Sequence, residues 1–112
     1  MSRKASGFRA WLLQRVSAIY LALYLLYLVY HFSFNPPADY ASWHAWLAQP
    51  VTSIFMALFF SSLLLHAWIG VRDIIIDYIH PLAARLLTLT AVALLLVGCG
   101  FWVIRILVLV AL

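Results

Sequence analysis

Val51–Tyr78 reads VTSIFMALFFSSLLLHAWIGVRDIIIDY. Its first part, Val51–Val71, carries no formally charged side chain and supplies the roughly 20 apolar residues a transmembrane helix needs. Beyond Val71 the pattern is still helical, and the helix is expected to continue to about Tyr78. His66 sits inside the apolar run, and Arg72, Asp73 and Asp77 lie just past it. An ionisable group at membrane depth is costly, which makes His66 a functional candidate. At helical spacing His66, Gly70, Asp73 and Asp77 fall at i, i+4, i+7 and i+11, on one face. Imidazole supplies a ligand, glycine admits a flat cofactor or another backbone, and the polar residues further along can receive a proton-carrying substrate.

Two more runs can span a bilayer, about Val16–Phe34 and about Leu82–Val110. Of the 112 residues, 68% are hydrophobic and 9% charged, too apolar for a soluble domain. The expected fold is all-α: one integral membrane domain over residues 1–112 with three transmembrane helices. The net charge of +4 does not point to nucleic acid, because of where it lies. Arg3, Lys4, Arg9 and Arg15 precede the first span, Arg72 and Arg85 flank the second loop, and Ser33–Pro50 holds no Lys or Arg. The positive-inside rule puts the N-terminus in the cytoplasm and the first loop and C-terminus outside. Arg105 is close enough to the C-terminus to snorkel outward.

The basic start followed by an apolar run has no A-x-A-like cleavage site, so it reads as an uncleaved span. Met1–Gln14, with Trp11, Leu12 and Leu13 among basic residues, reads as a short helix or arm on the cytoplasmic surface. Tyr20, Tyr24, Tyr27 and His31 form a stripe expected to pack on protein, with tyrosines bonding across a helix interface. Asn35-Pro36-Pro37 ends the first span. Tyr40, Trp43, Trp46 and Leu47 predict a short amphipathic helix with rings in the aromatic belt and His44 turned to water. Pro50 opens the second span, and Pro81 marks the inner turn. Cys99 has no disulfide partner and reads as a small packing residue between Gly98 and Gly100.

Depth constrains the histidines. His66 lies about 22 Å in from Val51, and His31 near the outer end of the first span, a difference of roughly 15 Å. They cannot flank one iron, so a haem bound by His66 takes its second ligand from another subunit or is five-coordinate. Zinc wants four ligands, and only Asp73 accompanies His66. Arg15 matches His66 in depth and can pair with a haem propionate or a quinone head. Each residue also has a structural reading: His66 as a buried histidine bonded to a neighbouring helix with Ser62 as its local polar neighbour, Arg15 as a positive-inside charge, Asp77 and Tyr78 as a polar helix end.

The motifs His66-Ala67-Trp68-Ile69-Gly70, Asp77-Tyr78, Pro81-Leu82-Ala83, Arg85-Leu86 and Leu13-Gln14-Arg15-Val16-Ser17-Ala18-Ile19, with Leu23-Tyr24 and Tyr27, resemble the smaller cytochrome b membrane anchor (D subunit) of bacterial succinate:quinone oxidoreductase, respiratory complex II. The resemblance covers nearly the whole chain. It implies a heteromeric helical bundle in the inner membrane with a second cytochrome b anchor, an iron–sulfur subunit and a flavoprotein subunit. It implies haem b shared between the anchors with His66 as axial ligand and Arg15 at a propionate or lining the pocket, and a ubiquinone site with Tyr78 bonding a carbonyl and Asp77 beside it. Arg72-Asp73 departs from the family in being charged; it reads as an internal ion pair or a contact to the iron–sulfur subunit. The chain lacks GxGxxG and cluster cysteines, so it does not itself oxidise succinate. A quinol:fumarate reductase anchor and a structural subunit without cofactor are the alternatives. A transport role fits less well, since no span has a broken-helix pattern.

Overall fold

The computed structural model describes residues 3–112, with side-chain surroundings from Gly7 onward. Met1 and Ser2, which begin the stretch expected on the membrane surface, lie outside the described residues, as do the side chains of Arg3 and Lys4. Four helices follow one another: α1 Arg3–Phe34, α2 Tyr40–Ala48, α3 Pro50–Tyr78 and α4 Leu82–Ala111. Three stretches are long and apolar enough to cross a membrane: Gly7–Phe34, Pro50–Tyr78 and Leu82–Ala111.

The expected stops are where the chain turns. α1 ends at Phe34, with the Asn35 amide still bonding His31 O at 2.8 Å, before the two prolines. Asp39 caps α2 by accepting from the Ser42 amide at 2.8 Å, which satisfies an orphan donor of the first turn. Pro50 occupies the first turn of α3, where its missing N–H costs nothing. Pro81 stands at the N-cap of α4.

One expectation fails at the start. The N-terminal stretch is no separate surface arm; it is continuous with α1. A helix of that length runs about 48 Å, against a longest molecular dimension of 51 Å. Nothing between Arg3 and Phe34 interrupts it except Gly7, and a single glycine weakens a helix by only about 1 kcal/mol.

α3 is the middle of the bundle. It packs on α1 on one side and α4 on the other, and α1 and α4 make no backbone contact among the described residues. α2 folds over the ends of α3 and α4. There Tyr24, Leu47 and Met56 form a buried hydrophobic cluster, with Trp43, Trp46 and Phe59 around it. The tyrosine stripe packs as expected: Tyr24 stacks near Tyr20 and Phe55 and meets Phe59, and Tyr20 Oη donates to Phe55 O at 2.9 Å across the α1–α3 interface. A bond of that kind is worth about 0.6 kcal/mol in a membrane.

α2 forms where the helical spacing placed it but not with the expected faces. Tyr40 and His44 lie one turn apart with ring centroids 5.9 Å from each other. His44 is half-buried beside Tyr40, not turned to water, while Trp43, Trp46 and Leu47 form the inward face. In α4 no residue is buried. Cys99 is exposed, not buried as a packing residue. Of its glycine neighbours only Gly100 meets another helix, at Leu64.

Candidate functional site

α1 and α3 run antiparallel, so Ser17 on one and His66 on the other reach the same level from opposite ends. Ser17 is 5% exposed, the sole buried polar side chain among the described residues. Its Oγ lies 3.1 Å from His66 Nδ1 and donates to Gln14 O at 3.1 Å. His66 therefore finds its polar neighbour on α1 and not in Ser62, one turn back on its own helix. His66 Nε2 makes no hydrogen bond among the described residues.

His66 lines an open cavity of about 400 Å³ between α1 and α3, together with Trp11, Gln14, Arg15, Arg72 and Asp73. The depth match between Arg15 and His66 thus becomes a shared wall. The Arg15 guanidinium sits 5.8 Å from the Trp11 ring centroid, within the range of a cation–π contact, and the residue is exposed. Arg72 Nη2 bonds Asp73 Oδ1 at 3.2 Å. The charged pair is an internal one, as one of the two sequence readings had it.

Two polar atoms in this wall are buried and unbonded: Gln14 Oε1 and Arg72 Nε. Each such atom costs about 1–3 kcal/mol if nothing meets it. A wall with one ring nitrogen and one guanidinium N–H free, and a second, exposed guanidinium among its lining residues, fits a flat ligand that carries carboxylates and a metal. Haem is such a group: imidazole nitrogen for iron, guanidinium for propionate. Gln14 Oε1 is an acceptor and is not met by a carboxylate.

Gly70 does admit a close neighbour, but it is a side chain. A Cβ there would stand 3.4 Å from Gln14 Nε2, an ordinary contact with the end of a flexible side chain, so the α1–α3 approach below His66 does not depend on the glycine.

His31 belongs elsewhere. It stacks on Trp46 with ring centroids 4.9 Å apart, in the aromatic end of the bundle. It is 14 residues along α1 from Ser17, about 21 Å from the His66 level, more than the rough 15 Å read from sequence. The two histidines cannot share an iron. No three His, Cys, Asp or Glu side chains cluster among the described residues.

Asp77 and Tyr78 are not part of the cavity. They end α3, about 18 Å beyond His66 along one continuous helix, and both are exposed, Tyr78 by 77%. Arg85, read from sequence as a charge flanking the loop and as part of a family motif, holds this end together. Arg85 donates from Nε to Ile79 O at 3.0 Å and from Nη2 to Ile76 O at 3.1 Å. It satisfies carbonyls that the end of α3 leaves unpaired and fixes the turn that presents Tyr78.

The chain also matches known proteins. The family model for the succinate dehydrogenase/fumarate reductase transmembrane subunit matches residues 1–100. Over 99 residues the chain is 36% identical to the succinate dehydrogenase hydrophobic membrane anchor subunit of Coxiella burnetii (strain RSA 493 / Nine Mile phase I), covering 88% of this chain and 86% of that relative.

Proposed function

The chain belongs to the family of succinate dehydrogenase/fumarate reductase transmembrane subunits, and from that premise we propose that it is the anchor of a succinate:ubiquinone oxidoreductase that supplies one axial ligand of a shared haem b and part of the ubiquinone site. The observation that carries the haem half is the α1–α3 cavity. It brings His66, Arg15 and the unbonded atoms of Gln14 and Arg72 to one wall. The succinate direction is preferred over fumarate reduction because the relative is named a succinate dehydrogenase anchor.

In this reading His66 holds the iron through Nε2, and Arg15 and Arg72 hold the carboxylates. Haem b, when bound, supplies a one-electron redox centre. Since this chain offers a single histidine at that level, the other ligand comes from a second cytochrome b anchor. That anchor covers the open side of α1 and α3. Tyr78 donates a hydrogen bond to a ubiquinone carbonyl, holding the ring and stabilising negative charge as it is reduced. Asp77 beside it places a carboxylate at the same surface. A flavoprotein and an iron–sulfur subunit, docked at the Tyr78 end, deliver electrons from succinate.

That end faces the cytoplasm and the α2 end faces outward from the inner membrane, following the basic residues. With Cys99→Ser as background, a cysteine introduced by Ser42→Cys is expected to label from outside; labelling only from the cytoplasmic side refutes the orientation. The haem assignment is tested on the purified complex by a reduced-minus-oxidised visible spectrum. A low-spin b-type signal is expected, and its absence leaves a structural anchor without cofactor.

A further inference from the structure

One hydroxyl proton cannot serve two acceptors. Ser17 Oγ lies 3.1 Å from both Gln14 O and His66 Nδ1. Gln14 O is a carbonyl and can only accept, so the one arrangement that completes both contacts at once sends the Ser17 proton there. The bond to the ring must then run the other way, with His66 Nδ1–H donating to Ser17 Oγ. That puts the imidazole proton on Nδ1 and leaves the Nε2 lone pair free.

We propose that Ser17 is the positioning residue of the His66 site: its hydroxyl fixes the His66 ring as the Nδ1–H tautomer and turns Nε2 towards the cavity as the ligating atom. This rests on the reading of His66 as a haem ligand. A serine in an apolar helix often bonds only its own preceding turn, and Ser17 does so through Gln14 O. What that common role leaves unexplained is the second contact, to a ring 49 positions away, from a side chain that is 95% withdrawn from the surface. A ligating histidine needs an acceptor on its other nitrogen to fix ring orientation and raise basicity. Ser17 is that acceptor. A hydroxyl oxygen is a weaker acceptor than a carboxylate, so it orients the ring without giving it imidazolate character.

The test compares Ser17→Val with Ser17→Thr in the assembled complex. The two replacements have nearly the same shape and differ in the hydroxyl. Three properties are read: haem retention against a competing apo-haem protein, the haem midpoint potential, and the low-spin electron paramagnetic resonance spectrum. Loss of a partner behind a ligating histidine typically costs 10–100-fold in affinity, so Ser17→Val should lose haem about tenfold more readily. Its potential should rise, because a less basic imidazole stabilises oxidised iron less. Its low-spin signal should shift or broaden as the ring orientation relaxes. Ser17→Thr should restore all three. Should Ser17→Val disturb assembly, Ser17→Ala gives the same readouts with a smaller side chain.

Wild-type potential and spectrum in both Ser17→Val and Ser17→Ala, with His66→Ala losing the low-spin haem, would overturn the role of Ser17 and leave the ligand reading standing. If His66→Ala also keeps its haem spectrum, the ligand reading falls and this proposal falls with it. Equal loss in the Thr and Val variants means that shape at this position matters, not the hydroxyl, and rejects the proposal.

Discussion

At the α2 end of the bundle, Tyr24, Leu47 and Met56 are each less than a tenth exposed, and the rings of Tyr20, Trp43, Trp46 and Phe59 close around them. About 10–15 Å along α1 from Tyr24, α1 and α3 enclose a cavity whose wall carries two guanidinium groups, a carboxylate, an imidazole and two unbonded polar atoms. The α2 end satisfies itself. Its one cross-helix bond, Tyr20 to Phe55 O, is made, and its rings stack on one another. At the His66 end Ile69, Ile75 and Ser17 are buried, yet Gln14 Oε1 and Arg72 Nε stay unbonded. In a membrane, where apolar contact with lipid tails is as good as contact with protein, tight aromatic packing and completed hydrogen bonds hold helices together. The two ends therefore divide the labour. One keeps α1, α2 and α3 in register; the other, in the proposed function, holds groups at a fixed level for a ligand.

Setting His66 itself aside, the largest expected effect falls at the self-satisfied end. Met56→Ala removes a buried side chain from its centre and should lower the stability of the assembled anchor by about 2 kcal/mol. Thermal unfolding in detergent or nanodiscs reads this, and the haem spectrum at low temperature should stay as in the wild type. Haem loss without loss of stability would break the division between the two ends.

The next effect is at the far end of α3. Tyr78→Phe deletes one donor and keeps the ring, so ubiquinone reduction should fall about tenfold, the equivalent of one hydrogen bond of roughly 1.4 kcal/mol. Haem content and succinate oxidation with a soluble dye should be spared. Equal loss of quinone and dye activity would place the defect in assembly, and no loss would make Tyr78 an interface anchor.

The smallest effect is a pH dependence at the α2 end. The Ser42 amide, and then its hydroxyl, hold the Asp39 carboxyl below its usual range. A folded value depressed below the unfolded one means that the cap is fully effective above about pH 4 and fades as pH falls through the folded value. Amide exchange at Ser42, corrected for its intrinsic rate, should be level from neutral pH to about 4 and lose protection below that. Asp39→Asn keeps a neutral acceptor and should show no such step. Loss of protection already between pH 5 and 7 would contradict the assignment.

The spans were legible because their signals are long and redundant. Hydrophobic length gave three helices, and Pro36, Pro50 and Pro81 marked their limits. α2 was legible from Trp43, Trp46 and Leu47 at helical spacing. Its faces were misread because Tyr40 was grouped with the tryptophans, although Tyr40 and His44 are the pair one turn apart. The join between the N-terminal stretch and α1 was missed because Arg9 and Arg15 suggested a surface segment, yet nothing there breaks a helix. At the site, depth alone brought Arg15 to His66. It could equally have found Ser17, two residues further on, but whether a side chain faces a neighbour depends on how α1 is rotated about its axis. That rotation is a property of packing between distant residues. Arg85 escaped for a related reason: its role depends on the fold of the Ile79–Pro81 turn beneath it.

The central claim is that His66 is the ligand this chain gives to an iron, at the end of the bundle that does not complete itself. The most direct measurement is low-temperature electron paramagnetic resonance of the complex carrying His66→Ala. The variant should yield an inserted, assembled anchor in which the six-coordinate low-spin signal is gone and any remaining haem is five-coordinate or loosely held. An unchanged low-spin signal at unchanged haem content would contradict it.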